Sequence, residues 1–251
     1  MNLESLNLAI LGPAFLAGLL VLATHVPMGQ QVLQRGIVFI DLAIAQIAAL
    51  GVIGADALGW EPQGVAVQVA AFCAALLGAL LLTWTEKRWP EVQEALIGGL
   101  FVLAASAGII LLANNPHGGE HLKDLLVGQI LWVGMQQLIP AMLLTLFVLV
   151  LWFKFRAQLG RTGFYVMFAL AVTTSVQLVG VYLVFSSLIM PALAVEKWPE
   201  AKRLKGGYLI GGVAYALGLA ISAIFDLPSG AVIVWCLAAT GVCFNLFRNK
   251  V

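Results

Sequence analysis

Phe164–Val195 reads FYVMFALAVTTSVQLVGVYLVFSSLIMPALAV, 32 residues without an Asp, Glu, Lys, Arg or His. One bilayer crossing takes about 20 apolar residues, so the stretch is too long for one helix and too short for two full ones. Thr173-Thr174-Ser175, Gly180, Ser186-Ser187 and Pro191 are helix-disrupting residues within it. Both flanks are basic, with Lys154, Arg156 and Arg161 before it and Lys197, Lys202, Arg203 and Lys205 after it. If positive flanks stay in the cytoplasm, the chain must enter and return within this stretch. A full helix followed by a short or re-entrant return leg meets that constraint. Broken backbone at membrane depth is tolerated only where protein or a water-filled cavity surrounds it, which puts this hairpin at the centre of the molecule. The charged segment Glu196–Lys205 is then expected to project from it into the cytoplasm.

The rest of the chain has the same character. Of its 251 residues, 62% are hydrophobic and 10% charged, against roughly 25% charged in soluble proteins. The mean hydropathy is +1.01. Together these exclude a soluble domain and predict an all-α, polytopic transmembrane bundle forming a single domain over residues 1–251. A net charge of +1 with no basic cluster gives no reason to expect nucleic acid as a partner. Cys73, Cys236 and Cys243 lie inside apolar segments and read as packing residues. The N-terminal MNLESLNL lacks the positive region of a cleaved signal peptide, so the first apolar segment is expected to stay as a helix.

Apolar runs predict spans at Leu6–Val26, Ile37–Ala57, Val65–Trp84, Leu96–Ala113 and Gln136–Phe153, then the hairpin, then Gly207–Ile224 and Ala231–Leu246. With two legs for the hairpin there are nine crossings. An outside N-terminus then puts 12 of the 13 Lys and Arg residues in inward loops and only Lys123 outside. Asp56, Glu61, Glu120, Asp124 and Asp226 fall in outward loops. The positive-inside rule favours this N-out, C-in topology.

Several polar groups stand out against this background. Asp41 sits in an otherwise apolar span, where a carboxylate costs about 2.5–3.5 kcal/mol on insertion scales. It reads either as a cation contact in a pathway or as an interfacial acid paired with Arg35. Gln46 lies five residues on, about 140° round the helix, and so off Asp41's face. His117-Gly118-Gly119-Glu120-His121 is chemically suited to Zn²⁺ or Mn²⁺ capture in an outward loop, and equally reads as a solvated loop. His25 reads as an interfacial or packed histidine at the inner end of the first span. Gln177, Ser186 and Ser187 could line a pathway or satisfy freed backbone in the hairpin. Asp226, before Pro228-Ser229-Gly230, reads as turn chemistry. Gly207-x-x-x-Gly211 and Gly98-Gly99 permit close helix approach. No phosphate loop, HExxH or Gly-x-Ser-x-Gly is present, so any ATP hydrolysis that powers the chain is expected in another chain.

Pro27-Met28-Gly29 followed by Phe39–Gly51, FIDLAIAQIAALG, resembles the first loop and second helix of the metal-type ABC importer permeases that serve zinc, manganese and iron. Ala95–Leu111 is similar to the family's fourth helix, and Asp124–Leu131, DLLVGQIL, to its external helix. Val179–Ala192, VGVYLVFSSLIMPA, resembles its VGxLLVxxLLxxPAA signature, and Phe225–Gly230, FDLPSG, its FDxPxG turn. The resemblance implies the fold of the vitamin B12 and haem-type importers, in a multi-pass protein of a prokaryotic inner or plasma membrane. It implies a permease homodimer, a separate cytoplasmic ATPase, and an extracytoplasmic metal-binding protein that delivers the substrate. It also implies a coupling segment at residues 192–205 that presses on the ATPase through Pro191, Ala192, Glu196, Arg203 and Lys205. The metal, zinc before manganese or iron, would be a transported substrate, with no permanently bound cofactor. Many family members carry Asp-x-x-x-His in the second helix as two metal ligands. Aligned on Gly51, the His position here holds Gln46 and the Asp position Leu42, with Asp41 shifted by one. The other reading of the composition is a secondary, ion-coupled transporter of a cation or small metabolite.

Overall fold

A long apolar run can satisfy its backbone amides within the segment itself only as a helix. The computed structural model describes residues 8–60, 64–112 and 126–248, and these are almost entirely helical, without a strand among them. Helices α1 (Leu8–Arg35), α2 (Ile40–Ala57), α3 (Val65–Arg88) and α4 (Gln93–Leu112) come first. A 45-residue helical run, Met135–Val179, breaks at Gly160 (φ 57°, ψ −156°). Its apolar legs are α5 (Met135–Phe155) and α6 (Gln158–Val179). The chain continues through α7 (Val181–Val195), α8 (Glu200–Phe225) and α9 (Ser229–Arg248). Seven of these helices are long and apolar enough to cross a bilayer. The 15-residue α7 is about 22 Å long, short of a hydrocarbon core of about 30 Å.

The central hairpin therefore has the expected long and short legs, but it breaks once, at Gly180 (φ 82°, ψ 162°). The other candidate breakers lie in continuous helix. Thr174, Ser186 and Ser187 each donate a hydroxyl to the carbonyl four residues earlier, at 2.9, 2.8 and 2.6 Å. Hydroxyls spent in this way ride on a helix without ending it.

The first span corrects the sequence reading. Helix α1 does not end at Val26 in a loop through Pro27-Met28-Gly29; it continues to Arg35. Proline lacks the N–H that would bond the carbonyl four residues back, here that of Ala23. Tyr208 of α8 replaces it, donating its hydroxyl to the Ala23 carbonyl at 2.9 Å. With that carbonyl satisfied, the helix runs on. A Cβ on Gly29 would strike the Leu188 carbonyl, so α1 lies almost backbone to backbone on α7 there.

Lipid tails are as apolar as leucine, so close approach rather than hydrophobic force holds such helices together. Gly207 and Gly211 of α8 face Val26 and Leu22, and Gly18 of α1 faces the Tyr215 ring. The Gly207-x-x-x-Gly211 pattern thus serves packing within the chain, whereas Gly98 and Gly99 face open space. Cys73 and Cys243 are exposed rather than packed, Cys236 is half-buried, and none is bridged.

Contacts sort the helix ends into two groups. Arg35, Phe39, Gln93, Glu94, Phe164 and Tyr165 meet at one end, and Gln34 near the end of α1 lines a cleft with Glu196 and Arg203 of the α7–α8 turn. The loops rich in Lys and Arg share this basic end. At the other end Val127 and Gly128 lie against Gly180 and Gly230.

Candidate functional site

Asp41 occupies the first turn of α2, 1% exposed, and neither carboxylate oxygen has a hydrogen-bond partner. The alternative of an ion pair with Arg35 is not realised. Arg35 instead lies over the Phe164 ring, 4.1 Å from its centroid. The partial positive charge of a helix N-terminus offsets part of the cost of a carboxylate there. Burying an unpaired acid otherwise costs enough that such groups face a partner or a pathway.

The N-terminus of α2 is held from α4. Phe39, its capping residue, has no side-chain cap of its own, and Glu94 accepts its backbone N–H at 3.1 Å. Beside it, Gln93 donates to the Leu82 carbonyl and the Tyr165 hydroxyl, both at 3.1 Å. These ties join α2, α3, α4 and α6 near the N-terminus of α2. Single-sequence reading missed them because the partners are 55 and 72 residues apart. The available signal was the pair of polar residues, Gln93 and Glu94, just after Pro90.

His25 is not at the inner end of its span. Because α1 continues to Arg35, His25 lies within the bundle and is fully buried. Its Nδ1 lies 2.9 Å from the Val21 carbonyl oxygen and 3.0 Å from the Thr24 hydroxyl. Nε2 has no hydrogen-bond partner in the protein. Gln46 is buried, 7% exposed, on a different face of α2 from Asp41.

The remaining candidates separate. Ser187 packs its hydroxyl 2.8 Å from that of Tyr215, and Ser186 is bonded to Tyr182, so both are engaged. Gln177 is exposed, three residues before the Gly180 break. Asp226 adopts left-handed backbone (φ 53°) as the cap of α8, which is the expected turn role. His117, Glu120 and His121 lie outside the described residues. Among the described residues, no three His, Cys, Asp or Glu side chains gather in a metal-binding group.

No separate helix forms after Pro191-Ala192. Residues 192–195 finish α7, a turn follows, and Glu200 opens α8. Trp198 covers Gly206, and Arg203 donates Nε to the Trp198 carbonyl at 2.8 Å, closing the turn. Glu196, Lys197, Lys202 and Lys205 are exposed around it. A cleft of about 170 Å³ opens beside the turn, lined by Gln30, Leu33 and Gln34 of α1 with Ala192, Glu196 and Arg203.

The profile of the ABC 3 transport family matches residues 7–164 and 155–247. The chain belongs to the ABC 3 transport family. As such it is a permease-type transport subunit and a multi-pass membrane protein of a prokaryotic cell. Among relatives, it is 25% identical over 254 residues to a manganese transport system membrane protein, MntC, of Halalkalibacterium halodurans, covering 92% of this chain and 85% of that one. It is 24% identical over 262 residues to a high-affinity zinc uptake system membrane protein, ZnuB, of Haemophilus influenzae, covering 96% and 98%. Among solved structures, PsaBC from Streptococcus pneumoniae in complex with Fab superimposes with a TM-score of 0.75 at 22% identity, over 93% of this chain and 90% of that one. The fold is thus that of an ABC permease.

Proposed function

We propose that this chain is the membrane-spanning subunit of an ATP-driven importer that passes a divalent transition metal to the cytoplasm, zinc before manganese or iron. The single observation that carries the reading beyond the family is Asp41, buried and unpaired in α2. An acid held at that cost is explained by a passing cation. The relatives' names support both zinc and manganese as cargo. A permease homodimer would take the ion from an extracytoplasmic binding protein, with His117, Glu120 and His121 as capture candidates at the acidic end. The exposed charges of the α7–α8 turn would dock a separate ATPase, and the basic end would face the cytoplasm.

The experiment is metal uptake into proteoliposomes that hold the permease and its ATPase. Zinc or manganese accumulation that requires internal or external ATP on the ATPase side is expected. Uptake that persists without ATP, driven by a membrane potential alone, would replace this reading with an ion-coupled transporter.

A further inference from the structure

Three cations of the basic end lie away from the α7–α8 turn. Lys87 and Arg88 close α3, and Arg161 stands in the first turn of α6. All three are exposed. The Gln93 amide of α4 donates to the Leu82 carbonyl of α3 and to the Tyr165 hydroxyl of α6, both at 3.1 Å, and so ties these two helix ends together. Along α6, Arg161 stands one turn, about 6 Å, before Tyr165 on the same face. Along α3, Lys87 and Arg88 stand about 7.5 and 9 Å beyond Leu82. The cations therefore occupy neighbouring helix ends just past the tie. Of the acids in the stretch, Glu94 is spent on the Phe39 amide and Glu86 is half-buried with one oxygen enclosed. Glu91 is exposed and offsets one of the three positive charges.

The same face of α3 turns apolar away from its end. Leu77, Leu80, Leu81 and Trp84 are 67%, 50%, 41% and 54% exposed. They recur at helical spacing in line with Arg88, with Lys87 at the edge of the stripe. From Leu77 to Lys87 the stripe runs about 15 Å. Trp84 and Trp89 meet edge to face beside the cations, ring centroids 5.2 Å apart, and both stay about half exposed. Amphipathic indoles of this kind mark headgroup depth.

An apolar stripe that ends in indoles and then in cations from two helices matches a phospholipid in outline, acyl chain first and phosphate last. The excess of positive charge selects an anionic headgroup, because a zwitterionic one brings its own cation. Basic recesses between helices at a cytoplasmic face recruit anionic lipid in this way.

We propose that Lys87 and Arg88 of α3, with Arg161 of α6, hold the headgroup of an anionic phospholipid whose acyl chain lies along Leu77, Leu81 and Trp84. The lipid bridges the helix ends that Gln93 ties together, and so supports the corner of the bundle where the N-terminus of α2 is held.

The full-length chain, delipidated in a neutral detergent, is titrated with dioleoylphosphatidylglycerol, dioleoylphosphatidylcholine or inorganic phosphate. Lipid retention is read by native mass spectrometry and stability by the thermal unfolding midpoint. Phosphatidylglycerol alone is expected to be retained and to raise the midpoint. Lys87→Gln with Arg88→Gln and Arg161→Gln weakens that retention at least about tenfold, whereas Arg88→Lys with Arg161→Lys keeps it. Lys197→Gln with Lys202→Gln and Lys205→Gln removes as much charge from the α7–α8 turn and leaves retention unchanged. Equal retention of the two lipids overturns the proposal, as does an equal loss in both glutamine sets. A midpoint raised as far by inorganic phosphate as by phosphatidylglycerol overturns the lipid and leaves only a phosphate contact.

Discussion

Tyr208 donates its hydroxyl to the Ala23 carbonyl, the acceptor that Pro27 leaves without an amide, and so lets α1 run past a proline. Removing that donor strands a carbonyl inside the bundle, at a cost of roughly 1–3 kcal/mol. Tyr208→Phe should therefore lower the thermal unfolding midpoint of the detergent-solubilised chain. In a Pro27→Ala background the helix supplies its own N–H, and the same substitution should cost well under about 1 kcal/mol. Equal losses in both backgrounds would contradict the arrangement.

At the end opposite Arg35, Gly128 (φ 67°) and Gly180 (φ 82°) pack backbone against backbone. A Cβ on Gly180 would collide with Gly128 and Val127, and the left-handed conformation adds its own strain. Gly180→Ala should cost roughly 2–5 kcal/mol. Gly36→Ala is the control, because Gly36 has φ 67° with open space around it. It should cost only about 1–2 kcal/mol. Thermal unfolding of the two variants side by side checks the difference.

Asp41 is a functional group carried at the expense of stability. Asp41→Asn removes a buried, unpaired carboxylate, so the unfolding midpoint should stay level or rise while metal uptake falls at least about tenfold. A lowered midpoint with uptake intact would show a structural acid instead.

The α7–α8 turn separates docking from folding. Lys202 and Lys205 are exposed, whereas Arg203 closes the turn on the Trp198 carbonyl. Lys202→Glu with Lys205→Glu should abolish copurification of the ATPase without changing the unfolding midpoint. Arg203→Glu should lower both. Undiminished copurification in the double variant would move the docking surface elsewhere.

Much of the fold is legible in sequence because the bilayer admits few solutions. Composition sets the helical class, and the apolar runs place the long helices. The Gly180 break is legible because no other residue type suits its backbone. Pro27 misleads, since its rescue comes from Tyr208, 185 residues distant from Ala23. Thr174, Ser186 and Ser187 mislead likewise, as their hydroxyls bond within the helix. Asp41 is visible as a lone acid, but its lack of a partner is a fact of three dimensions. His25 reads as interfacial only while α1 is thought to end beside it.

The central claim is that Asp41 lies on the route of a metal ion through this permease. It is tested most directly by total-cell zinc, manganese and iron, measured by mass spectrometry under metal starvation. Cells lacking the protein are compared with cells restored by the wild type or by Asp41→Ala. The account predicts a fall in one metal, zinc first among the three, reversed by the wild type and not by Asp41→Ala. Unchanged levels of all three metals, or full restoration by Asp41→Ala, would contradict it.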